Sequence, residues 1–120
     1  MSVAGLLTFD QVDSDIEYEL GGEFNDFQFI ASGQLDSASS ARRTSHGFAI
    51  GGFQGCTTDN SNGSNHRNYI LDDRIIKVME YVSSSWVTVL EVAFIAKTVA
   101  GFRVNVITAN SNIPVMVVAR

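Results

Sequence analysis

Cysteine occurs once in the 120 residues, at Cys56, so no disulfide can form within the chain and its stability must come from packing. Imidazole is nearly as scarce. His46 and His66 are the only two, and with Cys56 they fall one ligand short of a four-ligand structural zinc site. Lys and Arg number eight against thirteen Asp and Glu, a formal charge of −5, and a surface of that sign does not displace counterions from a nucleic acid. No uninterrupted apolar run reaches the roughly 18 to 20 residues of a membrane-spanning helix, and MSVAGLLTFD lacks the basic residue and apolar length of a secretion signal. There is no phosphate loop, dinucleotide fingerprint, H-E-x-x-H helix or G-x-S-x-G elbow. Nucleic acid, membrane, metal and cofactor are set aside on these grounds. What remains is 45% hydrophobic residues in a chain of one domain's length, enough to close a single core over residues 1–120.

The charge is unevenly placed. Asp10, Asp13, Asp15, Glu17, Glu19, Glu23, Asp26 and Asp36 all precede the first base, Arg42. From Val12 to Leu20 the chain alternates, with Val12, Ser14, Ile16, Tyr18 and Leu20 on one parity and Asp13, Asp15, Glu17 and Glu19 on the other, the two-residue repeat of a half-buried strand. Residues 1–11 before it read as an N-terminal arm. Gly21-Gly22 punctuates, and Phe24 to Ala31 reads as a second strand.

Small polar residues from Ser32 to Ser45 read as a loop, and His46 to Phe53 as a glycine-rich strand that carries a bulge or lies close under another backbone. Gln54 to Asn68 reads as loop with a turn at Asn62-Gly63. Arg74 to Val82 and Trp86 to Lys97 flank three serines as a hairpin, and Phe102 to Ala109 and Ile113 to Ala119 complete a set of seven to eight short strands. The expected fold is all-β, a jelly-roll-like antiparallel β-sandwich.

In Trp86 to Lys97 both parities are apolar, and Val115 to Val118 repeats this. A sheet face that meets water normally reads polar, so the pattern predicts a covered outer face. Trp86, Val87, Val89, Phe94, Ile95, Val115 and Val117 are accordingly the expected contact between copies of the chain.

The acid row offers hard oxygen ligands for calcium on one side, although alternate residues of a straight strand stand about 6.5–7 Å apart instead of converging around a bend as a calcium loop does. Its plain role is a solvated face that discourages strand pairing at a sheet edge. Its sharper role is a salt-sensitive contact in which Asp13, Asp15, Glu17 and Glu19 meet a basic partner surface, with Arg42 and Arg43 of a neighbouring copy as one source. Cys56 with His46 or His66 is a weak nucleophile and base pair, and Asp72-Asp73 are strand neighbours that point to opposite faces. The triplet Asn62-Gly63-Ser64 matches a glycosylation acceptor that chance alone supplies often. Tyr69, Trp86 and Phe53 are candidates for stacking on a sugar.

The segments SHGFAIGGF (45–53), EVAFIAK (91–97) and AGFRVNVITANSNIPVMVVA (100–119) together resemble a pattern of small all-β proteins from tailed bacteriophages. There a G-F-x-h-G strand, h being apolar, precedes a polar loop, and a late D/A-G-F strand precedes a final V-x-V-x-A strand. The chain lacks the proline-led aromatic strand that usually comes before the first glycine motif. The resemblance implies a non-enzymatic virion component, made in the host cytoplasm and without cofactor. The leading form is a capsid decoration or cement protein, a homotrimer docked on the major capsid protein through its acidic N-terminal region. The alternative is a tail or fibre-tip module that binds a receptor or carbohydrate.

Overall fold

The computed structural model describes residues 2–32, 42–110 and 112–120. Among them there is no helix. The strands are β1 (Val3–Thr8), β2 (Asp13–Glu19), β3 (Asp26–Ser32), β4 (Arg42–Ile50), β5 (Phe53–Ser61), β6 (His66–Leu71), β7 (Ile76–Val82), β8 (Ser85–Lys97), β9 (Gly101–Ala109) and β10 (Pro114–Ala119). Six form one antiparallel sheet in the order β1-β10-β3-β4-β5-β6, and four form a second in the order β2-β9-β8-β7. The two pack face to face, so the expected sandwich is present with ten strands in place of seven or eight. β1 runs against β10 and β2 against β9, first strands with last, while β3 to β6 and β7 to β9 are plain meanders.

Strand alternation builds the core. Phe27, Phe29 and Ala31 of β3 and Val115, Val117 and Ala119 of β10 point inward from one sheet, and Val78, Leu90, Val92, Phe102, Val104 and Val106 meet them from the other. Phe102 sits at the centre, with the rings of Phe29, Phe27 and Phe94 at 5.5, 5.6 and 6.2 Å. Each such ring removes on the order of 150–250 Å² from water, so this cluster dominates stability. Gly47 faces the same interior. A Cβ built there would overlap the carbonyl oxygen of Ile75, which is the close backbone approach expected of this strand.

Three segments depart from the sequence reading. Residues 3–8 of the expected arm are β1, paired along its length with β10, and Phe9 is fully buried in the core. The span 46–53 is not one strand: Gly51 and Gly52, at φ +55° and +88°, make a two-residue turn between the paired Ile50 and Phe53. Residues 42–45 and 54–68, expected as loop, belong largely to β4, β5 and β6, while residues 33–41 of the first loop lie outside the described residues. The turn at Asn62-Gly63 is where it was expected, with Asn62 N–H donating to Asn65 O at 3.1 Å.

Polar residues persist in β4 and β5 because they serve the opposite sheet. Lys77 N–H donates to Ser45 Oγ, and Met79 N–H donates to Oδ1 of the fully buried Asn60. Gln54 makes a reciprocal pair with the backbone of Phe94, at 2.9 and 3.0 Å. Met79 and Phe94 both lie beside register shifts in the four-stranded sheet, where a bulge deprives the ladder of a backbone partner and the side-chain amide replaces it.

The β7–β8 hairpin turns on Ser83 and Ser84, at φ +51° and +67°. A two-residue turn of this hand demands left-handed values that Asn-Gly adopts easily, and holding a side chain there costs about 1 kcal/mol per residue.

Candidate functional site

The four-stranded sheet carries paired charges, alongside exposed Val82, Val87 and Ile95. Glu91 on β8 receives Arg74 at 3.1 Å and Lys77 at 3.9 Å, and Asp15 on β2 receives Arg103 of β9 at 2.5 Å. The hydrogen bond from Arg103 holds the Asp15 carboxyl below its ordinary value. Strand β2 is an edge of this sheet, with a register shift between Asp13 and Ile16. Charge and irregularity together blunt an edge against strand addition, the plain role expected for the acid row.

The outer face of the six-stranded sheet is different. Leu6, Met116, Ile30, His46, Thr57 and Ile70 stand opposite one another in register across all six strands. Phe48 lies one row further along β4, over Gly55, and Ile50 pairs with Phe53 beyond it. Ile70 is 86% exposed, Phe53 78% and Leu6 68%, and Ile30, Phe48, Ile50 and Met116 range from 41 to 46%. At about 200 Å² per fully exposed side chain of this size, these seven present roughly 800 Å² of apolar surface. The largest apolar patch on a typical monomer is about 300–600 Å². Charges stand at the borders, where Arg42 pairs with Asp59 and Arg120 with Asp26, each at 3.5 Å.

The residues expected at a contact between copies divide across the sandwich. Val115, Val117 and Val89 are buried, and Phe94 packs against the core, so these four support the interior. Val87 and Ile95 are exposed, and Trp86 is half-buried against Tyr81. Extra residues at Val89 and Ile95 shift the register of β8, so apolar residues on both parities of this strand do not mark two apolar faces. In β10 the inference holds in kind, since Val115 and Val117 point in while Met116 points out. The apolar outer face therefore belongs mainly to the six-stranded sheet. Its signal in the sequence was Ile30 between Phe29 and Ala31, and Phe48 and Ile50 on either side of Ala49.

Of the expected docking residues, Asp13, Glu17 and Glu19 are exposed on β2, and Asp13 accepts the Asp15 backbone N–H. Asp15 is engaged by Arg103, Arg42 by Asp59 and Arg43 by Glu80 at 3.6 Å, so each arginine already has a carboxylate within the chain.

Cys56 and His46 are not brought together. Gly47 is the residue opposite Cys56, so the thiol points to the interior while His46 lies on the outer row. Burial pushes the thiol's pKa up, partly opposed by a hydrogen bond with Ser45, which disfavours the nucleophilic thiolate. His66 is at the far end of the neighbouring strand. Asp73 pairs with Arg74 at 3.3 Å. Tyr69, Trp86 and Phe53 line three separate depressions, and Lys77 sits 5.0 Å over the Tyr69 ring. Comparison with protein-family models, curated proteins and solved structures finds no match for this chain.

Proposed function

We propose that this protein is a non-enzymatic structural subunit of a virion, a capsid decoration or cement protein. Its copies associate through the outer face of the six-stranded sheet, and it docks on the major capsid protein through the acidic edge strand β2. The observation that carries the reading is the row Leu6, Met116, Ile30 and Ile70 with Phe48, Ile50 and Phe53. Roughly 800 Å² matches what each partner of a standard interface buries. A second copy fits best because the face is uncharged between its borders, whereas a chain of net charge −5 meeting itself elsewhere brings acids together. The virion assignment, and the trimer it favours, rest on the phage-like strand motifs at 45–53 and 91–119.

Light scattering of the full chain at micromolar concentration, together with copy counting in purified virions, tests the reading. An oligomer in solution and high copy number on particles are the expected results. A monomer that is absent from particles overturns it.

A further inference from the structure

We propose that the cleft between the β5–β6 turn and the β7–β8 hairpin binds an acidic saccharide, with Arg67 receiving its carboxylate and Trp86 its apolar ring face. The cleft has a volume of about 510 Å³ and is lined by Asn65, His66, Arg67, Ser84, Ser85 and Trp86, with Tyr81 behind the indole. That volume lies within the roughly 300–1,000 Å³ of small-molecule sites.

Three separate observations converge there. Among the described residues Arg67 is the one base without a carboxylate in ion-pair range, while Arg42, Arg43, Arg74, Lys77, Lys97, Arg103 and Arg120 are all paired. Arg67 is exposed and has no internal carboxylate among the described residues, so its planar fork is free to take an external one through two parallel hydrogen bonds. Trp86 is held edge-on to Tyr81 at 5.3 Å and 63°, so its orientation is set before a ligand arrives. An indole so fixed offers a flat apolar surface to the C–H face of a pyranose. Ser83 and Ser84 carry left-handed strain where Asn-Gly would turn the hairpin with less, and Ser84 and Ser85 line the cleft. Strain kept at such a position is characteristic of functional sites, and the hydroxyls and the Asn65 amide suit sugar hydroxyls. One chain builds the whole cleft, so this inference goes beyond the subunit reading and does not depend on it.

The test is a titration of the full chain with sialyllactose and with a glucuronic-acid disaccharide, lactose serving as the neutral control, followed by the Trp86 indole NMR signals. At least one acidic probe should move the Trp86 signals and bind about tenfold or more tightly than lactose, and Arg67→Ala should remove that advantage. The double variant Ser83→Asn/Ser84→Gly should raise the melting temperature yet weaken binding, a combination that a purely structural turn does not produce. Equal response to lactose and the acidic probes, no response to any probe, or unchanged affinity in Arg67→Ala each overturns the proposal. The oligomer mass of the same samples reports separately on the subunit reading.

Discussion

On the outside of the four-stranded sheet Glu91 holds Arg74 and Lys77 and Asp15 holds Arg103, while on the outside of the six-stranded sheet Leu6, Met116, Ile30 and Ile70 share a row with His46 and Thr57. The exposed Asp15–Arg103 pair adds little to stability, typically about 0–1 kcal/mol, whereas Glu91 is mostly buried between Arg74 and Lys77. The second face gains most of its free energy only when something covers it. Acid is concentrated where a sheet ends, at β2, and apolar surface where a sheet is widest. A domain so divided carries paired charge on one sheet and exposed apolar side chains on the other.

The comparison is broken most severely beneath both faces, at Gly47. A methyl group there meets the Ile75 carbonyl, so Gly47→Ala forces the sheets apart and is expected to destabilise the fold by about 3 kcal/mol, read as a lower midpoint in urea unfolding. Charging one face alone is the next largest change. Phe48→Glu/Ile70→Glu should convert the proposed oligomer to monomer by light scattering while the monomer's unfolding free energy moves by no more than about 0.5 kcal/mol per site, because both side chains are exposed. An unchanged mass would place the contact elsewhere.

The smallest effect belongs to the paired face. Arg103→Gln removes the group that lowers the Asp15 pKa, so NMR titration should find that carboxyl returned toward its ordinary value. Because the folded pKa is the lower one, the pair's contribution is present above the ordinary carboxylate value and is lost as pH falls through the folded value. Melting curves of the variant and parent should therefore diverge slightly at neutral pH and converge at strongly acidic pH.

Much of this was legible locally. The alternation of Ile16, Tyr18 and Leu20 with Glu17 and Glu19 is the observed half-buried edge, and Asn62-Gly63 and the serines at 83 and 84 mark true turns. Thr58, Asn60 and Ser61 read as loop because small polar residues have no reason to be strand until β7 is known to pass nearby and donate its Met79 N–H to Oδ1 of Asn60. The candidate contact in β8 divides between core and surface for a related reason, since a bulge reverses which parity faces inward and no window of residues announces it. The cleft at Trp86 was half visible: the indole was singled out, but Arg67 and Ser84 approach it only through two hairpins.

The amino-acid order by itself determined an all-β domain, the turns at Asn62-Gly63 and Ser83-Ser84, and an acidic segment suited to a sheet edge, because alternation and turn chemistry act over a few residues. Only the tertiary structure decided which face is left apolar. Pairing β1 with β10 and β2 with β9 joins segments from opposite ends of the chain, and the cross-strand register that aligns Leu6 with Met116 and Ile30 exists only once they meet.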